Sequence, residues 1–213
     1  MRLLVATRSA DKLREIRQIL AAHPELDLVD LRAAGIPESP AEDAVEAFDT
    51  FEENALAKAR HFARLAGLAV LADDSGLGVD ALGGDPGVRS KRFSGRGDLR
   101  RADLDQANNA LLLERLAGVP MPERDARYVC AAAVVLPGGE EQVFVGTCEG
   151  AILTEPRGAD GFGYDPLFWI PGENAAFGEL PPGRKNELSH RGKAISAAGE
   201  WLVSQLDKST ISR

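Results

Sequence analysis

Cysteine, histidine and long apolar runs are what this chain has least of. Its 213 residues include two cysteines and three histidines. Cys130 and Cys148 form no CxxC pair and have no histidine or cysteine partner at metal-ligand spacing, which argues against a disulfide framework or a zinc site. A reducing compartment follows, and the cytoplasm is the expected location. No apolar window reaches membrane-spanning length, and the apolar stretch near the start is too short for a signal peptide, so no membrane partner is expected. Positive charge is in deficit too: 25 Lys and Arg stand against 33 Asp and Glu, a net charge of −8. The overall field therefore repels polyanions and speaks against nucleic acid as a partner. A small phosphorylated ligand stays within reach of local cations aided by a divalent metal.

What is present is enough apolar material for a core. With 44% hydrophobic residues, the chain fits one large domain or two tightly joined lobes. Residues 3–6 read as a short strand, followed by a polar loop and a helix carrying Leu13, Ile16, Ile19 and Leu20 on one face. Residues 35–50, rich in Pro, Glu and Asp, read as a loop. From Phe51 the apolar positions Phe51, Ala55, Ala59, Phe62 and Ala66 form a helical stripe that Gly67 ends, and a strand then covers residues 68–72. Residues 83–98 read as a long glycine- and arginine-rich loop suspected of function. Leu104, Ala107, Leu111 and Leu112 supply a further helical face, closing near Gly118. Residues 127–136 and 142–145 around Pro137-Gly138-Gly139 predict a hairpin, which makes a purely parallel sheet improbable. A glycine-rich, aromatic-containing loop at 158–169 precedes a final helix opened by Ser189. No repeat or break in composition marks a linker, so residues 1–213 are read as a single domain of mixed α/β type.

Five short stretches carry candidate chemistry. Leu71-Ala72-Asp73-Asp74-Ser75-Gly76 delivers two adjacent carboxylates to what reads as a strand end and a glycine-rich turn. Alternation sends neighbouring side chains to opposite faces, so the two carboxylates have different jobs and only one need be catalytic. A carboxylate oxygen suits Mg2+ shared with substrate phosphates, and it also accepts a proton from water; ordinary turn chemistry explains the tetrapeptide equally well. Thr7-Arg8-Ser9-Ala10-Asp11-Lys12 lies between a strand and a helix N-terminus, where backbone N–H groups and Lys12 favour a phosphate, although the glycine spacing of a P-loop is missing. Asn54 and Lys58 stand one turn apart on a helix. Gly161-Phe162-Gly163-Tyr164-Asp165-Pro166 has the make-up of a ring-stacking platform with an acceptor beside it, and packing of the Phe or Tyr into the core explains it about as well. Finally, Arg184-Lys185 and Ser189-His190-Arg191-Gly192-Lys193 concentrate cations at a helix N-terminus, where the dipole opposes them, and an anionic ligand would resolve that conflict.

These stretches, in this order and spanning nearly the whole chain, resemble the inosine triphosphate pyrophosphatase family. The resemblance implies an elongated mixed β-sheet flanked by helices, with two lobes around a central cleft, in a homodimeric enzyme. It implies Mg2+-dependent hydrolysis of non-standard purine nucleoside triphosphates, namely ITP, dITP and XTP, to the monophosphate and pyrophosphate. Asp74 would be the general base and a metal ligand, with Glu46 as the second metal ligand and Glu42 its competitor. Thr7, Arg8, Ser9, Ala10, Asp11, Lys12 and Lys58 would hold phosphates, and Ser75 would touch substrate. Phe162, Gly163, Tyr164 and Asp165 would receive the nucleoside, while Lys185, His190 and Arg191 would contact base or phosphates. Ser9 stands where the family usually has Asn. Two other readings stay open: a nucleotide-binding regulatory module without turnover, and a pyrophosphatase acting on modified pyrimidine triphosphates.

Overall fold

A computed structural model of the chain describes residues 1–42, 45 and 47–211. It contains strands β1 (Arg2–Val5), β2 (Asp27–Asp30), β3 (Ala69–Val79), β4 (Asp125–Val135), β5 (Glu141–Ile152), β6 (Phe168–Ile170) and β7 (Ala175–Ala176). The helices are α1 (Ala10–Leu20), α2 (Phe51–Ala66), α3 (Arg101–Arg115), α4 (Pro182–Leu188) and α5 (His190–Ile211), with several short 3-10 turns between elements. The strands form one sheet in the order β2-β1-β3-β4-β5-β6-β7. β1 pairs in parallel with β2 and β3, whereas β6 pairs antiparallel with β5 and β7, so the sheet is mixed as expected.

Local chemistry explains the helix ends. Ser9 is the N-cap of α1, its side chain accepting the Lys12 N–H at 3.3 Å. Thr50 caps α2 by accepting the Glu53 N–H at 3.2 Å, and Thr50 Oγ1 also donates to Glu53 Oε2 at 2.7 Å. These bonds satisfy donors that a helix N-terminus cannot pair internally. At the other end of α2, Gly67 takes the left-handed conformation at φ 63° and returns its N–H to the Ala63 carbonyl.

The chain divides into two compact units: residues 1–74, 130–146 and 190–213, and residues 75–129 and 147–189. In the first unit, strand alternation sorts the core into two layers. Leu3 and Val5 of β1, with Ala69 and Leu71 of β3, pack with Ile16 and Leu20 of α1 and Ile195, Ala198 and Leu202 of α5. Leu4 and Ala6, with Val70 and Ala72, pack with Ala55, Ala59 and Phe62 of α2. Both faces of these parallel strands are thus covered, as such strands require. The second unit has its own core, in which Leu112 and Leu116 join an aromatic group. There the Tyr128 and Phe168 rings lie 4.6 Å apart and those of Phe168 and Phe177 5.2 Å apart.

Several expectations are corrected. The strand predicted over 68–72 runs on to Val79, so Asp73 and Asp74 sit inside a strand and not in a turn beyond it. Aspartate and glycine disfavour strands on propensity, but here the buried charge of Asp73 is matched by cations from neighbouring helices. Residues 83–98 are not all loop, because Gly87–Arg92 forms a 3-10 helix. The second hairpin strand is far longer than residues 142–145. β2, β6, β7 and α4 were not anticipated; each is seven residues or fewer, too short to establish a period.

Candidate functional site

Two constellations of side chains emerge, one in each unit. The first forms around β3. Asp73 follows the alternation of Ala69 and Leu71 and so faces the layer of α1 and α5, whereas Asp74 follows Val70 and Ala72 toward the layer of α2. Asp73 is 1% exposed. Its Oδ2 lies 3.0 Å from Lys12 Nζ of α1 and 3.2 Å from Arg191 Nε of α5. Arg191, itself 3% exposed, places Nη1 2.6 Å from Glu15 Oε2 of α1. The result is a chain of alternating charge, Glu15–Arg191–Asp73–Lys12, buried except at its partly exposed Lys12 end. From α2, Lys58 Nζ donates to the Asp73 backbone carbonyl at 2.8 Å.

Burial pushes the Asp73 carboxyl up, but the charges of Lys12, Arg191 and Lys58 outweigh it and hold the group well below the usual carboxylate range. Burial likewise opposes the Arg191 charge, and Asp73 and Glu15 overcome it, so that guanidinium stays protonated. Cys130, whose Sγ is 4.0 Å from Asp73 Oδ2, is pushed up to about 12 by burial and then by the neighbouring carboxylate. It is an inert thiol. Asp73 is therefore committed to internal cations, while Asp74 is partly exposed on the other face of the strand.

The second constellation centres on residues 161–165. Gly161 and Gly163 both have positive φ, 82° and 63°, with Phe162 between them. A side chain at Gly161 would collide with the Asp165 carboxylate, so only glycine lets that group fold back under the loop. Asp165 Oδ2 accepts from the Phe162 N–H at 2.7 Å and from Lys185 Nζ at 2.6 Å. Both charged residues are buried, at 3% and 5% exposure. Lys185 Nζ also lies 4.9 Å from the centroid of the Phe162 ring, a cation–π contact that orients it. Tyr164 is buried and donates its hydroxyl to the Ser90 carbonyl at 2.8 Å.

The first constellation gathers Lys12, Lys58 and Arg191 around Asp73, the strand neighbour of Asp74, and the second gathers Phe162, Gly163, Tyr164, Asp165 and Lys185. Others lead elsewhere. Arg8 reaches the carbonyls of Ile36 and Pro37 and both carboxylate oxygens of Glu42, at 2.7–3.0 Å. That engagement commits Glu42, the competitor for the second metal position, and holds its carboxyl below the ordinary value. Glu46 lies outside the described residues. Thr7 Oγ1 accepts the Ser9 N–H, and Asp11 pairs with Arg14; Ala10 is the first residue of α1. Asn54 is buried and bonded to the backbone of Phe48, whereas Lys58 bonds to that of Asp73. Ser75 is partly exposed on β3 and His190 is buried at the start of α5.

The anion invoked to relieve the cationic helix start is not required on electrostatic grounds. Asp165 neutralises Lys185, and Asp73 and Glu15 neutralise Arg191. Glu15 was missed because a glutamate three residues after Lys12 looks like any solvated helix position. Asp105, Asn108 and Asn109 of α3 were also missed. Their polar side chains hold residues 90–94 and 163 through backbone groups, and the only cue was polar residues beside the apolar face of α3.

Fold and constellations together define a mixed α/β protein with one charge-lined and one aromatic, glycine-built cluster. A model of the Ham1 family matches residues 3–201. Over 195 residues, 92% of this chain and 94% of the relative, the chain is 50% identical to the dITP/XTP pyrophosphatase of Frankia alni. It is 49% identical over 201 residues to the dITP/XTP pyrophosphatase of Geobacter sulfurreducens, covering 94% of this chain and 96% of that one. Among solved structures, a HAM1 protein from Coxiella burnetii superposes with a TM-score of 0.81 at 34% identity, covering 96% and 99% of the two chains. The nucleoside-triphosphatase / dITP/XTP pyrophosphatase of Mycobacterium abscessus does so with a TM-score of 0.70 at 44% identity, covering 93% and 97%. The chain belongs to the Ham1 family.

Proposed function

We propose that this protein hydrolyses non-standard purine nucleoside triphosphates, dITP, ITP and XTP, to the monophosphate and pyrophosphate, cleansing the nucleotide pool. The observation that carries the reading is the division of labour on β3: Asp73 is buried against Lys12 and Arg191, and Asp74 next to it is partly exposed. It is supported by relatives at about half identity whose names specify dITP and XTP.

Release of pyrophosphate means that water attacks the innermost phosphorus. Asp74 orients that water and takes its proton. Lys12 and Lys58 supply positive charge for phosphate oxygens, helped by the positive end of the α1 dipole. Phe162 offers a face for the base, with Lys185 held against its ring. A 6-oxo purine presents an acceptor where adenine presents a donor, so cationic and N–H donors near the base favour hypoxanthine and xanthine and leave adenine mispaired.

The donor set fits a hard divalent cation. Asp74 offers a partly exposed carboxylate on the strand beside Asp73, and Mg2+ needs only one or two protein carboxylates beside phosphates and waters. Asp74, with Glu46 as second donor, would hold it, and Mg2+ when bound supplies neutralisation of phosphate charge. The same reading makes the enzyme a cytoplasmic homodimer. Among the described residues, no helix is long and apolar enough to cross a membrane.

The test is pyrophosphate release from dITP, ITP and XTP beside dATP, dGTP and dUTP, with and without Mg2+. The 6-oxo, non-standard purines should be turned over fastest and only with the metal. Asp74→Asn should lower turnover by about a thousandfold while nucleotide still binds. Equal or faster hydrolysis of dUTP, or undiminished turnover in Asp74→Asn, would overturn the assignment.

A further inference from the structure

The loop at residues 161–165 is held on both sides of Gly163 but has a weak point at that glycine: before it, the Phe162 N–H is held by Asp165. Asp165 is anchored on Lys185, and Tyr164 on Ser90. Between Phe162 and Tyr164 stands Gly163, left-handed at φ 63° and with open space where a side chain would be. Glycine there has the widest choice of alternative conformations of any residue. Unless something grips that peptide, the Phe162 ring has a hinge beside it.

Helix α3 provides the grip. Asp105 Oδ2 accepts the Gly163 N–H at 2.9 Å, and Asn109 Nδ2 donates to the Gly163 carbonyl at 3.0 Å. The two residues are four apart and therefore share one face of the helix. One acceptor and one donor, one turn apart, thus fix both polar groups of Gly163, whereas the other glycine flanking Phe162, Gly161, lies against the Asp165 carboxylate. α3 is itself braced: Asn108 accepts the Ser94 N–H at 2.8 Å and donates to the Lys91 carbonyl at 3.2 Å.

We infer that Asp105 and Asn109 are positioning residues for base selection: by clamping Gly163 they hold Phe162 at the angle from which it discriminates among nucleobases. This rests on the reading of residues 162–165 as the nucleoside platform. Neither residue touches the base; both act through the peptide of Gly163. Loosening the clamp costs affinity and selectivity and leaves the proton transfer at Asp74 alone.

The experiment compares Asp105→Ala, Asn109→Ala and the conservative Asp105→Asn, whose amide oxygen still accepts the Gly163 N–H. Steady-state rates on dITP and dATP are measured together with amide hydrogen exchange at residues 162–165. Each alanine variant should raise KM for dITP about fivefold to tenfold with little change in kcat, as loss of one hydrogen bond predicts. Their preference for dITP over dATP should shrink, and exchange at residues 162–165 should quicken. Asp105→Asn should restore most of the KM and the preference. Unchanged KM and selectivity in both alanine variants, or a fall in kcat that tracks the thermal midpoint with KM constant, would overturn the inference. If the unsubstituted chain releases no pyrophosphate from dITP, the functional reading fails on its own. The exchange rates still judge the clamp, since unaltered exchange in both alanine variants refutes it.

Discussion

The charge-held cluster around Asp73 and the backbone-held loop around Phe162 reach rigidity by opposite means. In the first, four ionised side chains from β3, α1 and α5 neutralise one another in a row that is buried except at Lys12, and no backbone peculiarity is needed. In the second, the polar groups fixed are mostly backbone N–H and carbonyl groups of a loop with two left-handed glycines, and one buried ion pair suffices. On the proposed function, a reacting carboxylate gains from the first arrangement, because fixed charges set the field beside it. A platform for a flat base gains from the second, because glycine lets backbone and ring approach a ligand closely. If the contrast is real, the first cluster should fail through charge and the second through geometry.

The largest effect is expected from Asp73→Asn. The substitution keeps the shape but leaves Lys12 without its carboxylate and Arg191 with Glu15 alone, so a loss of roughly 3–5 kcal/mol is expected at neutral pH. The sign with pH follows from the direction of the shift. The folded Asp73 carboxyl titrates below its unfolded value, so its contribution is whole above about pH 4 and is lost as the pH falls toward the folded value. Urea unfolding of both proteins should therefore show a gap that is wide at neutral pH and narrows in acid. A gap of constant width would mean that the ionised carboxylate is not its source.

Geometry should dominate in the loop. Alanine at Gly161 meets both an unfavourable positive φ and the Asp165 carboxylate, so Gly161→Ala should cost about 2–3 kcal/mol. At Gly163 there is room for a methyl group, and only the backbone penalty of roughly 1 kcal/mol remains. Thermal or urea unfolding of the pair decides it. Equal costs would show that the folded-back Asp165 contributes nothing to holding the loop.

How much of this was legible in the sequence follows the same division. The elements near the first cluster were readable because α2 repeats its apolar stripe over four turns and stops at Gly67. The inequality of Asp73 and Asp74 followed from strand alternation alone. Their partners did not, since nothing local tells that Glu15 and Arg191, 176 residues apart, meet at 2.6 Å. In the loop, glycines and aromatics announced a special conformation, but the side chains that fix it belong to α3, more than fifty residues earlier. The cations at the start of α5 misled for a similar reason. A helix N-terminus viewed alone shows an unbalanced charge, and the balancing carboxylates come from other elements.

Tyr164 offers the finest test, because it joins the two ideas in one residue. Its ring is buried with the aromatic core of the second unit, while its hydroxyl donates to the Ser90 carbonyl at 2.8 Å. Burial, then the nearby Asp105 charge, pushes that hydroxyl well above its ordinary value, so it stays a donor throughout the physiological range. Tyr164→Phe keeps the packing and removes one bond, and the Ser90 carbonyl retains a long contact from Asn108 at 3.4 Å. The expected cost is about 1 kcal/mol, independent of pH between about 5 and 9. KM for dITP should rise less than in Asn109→Ala, because the peptide of Gly163 is still clamped. A larger rise in KM for Tyr164→Phe than for Asn109→Ala would move the fixing point of the platform from α3 to the tyrosine.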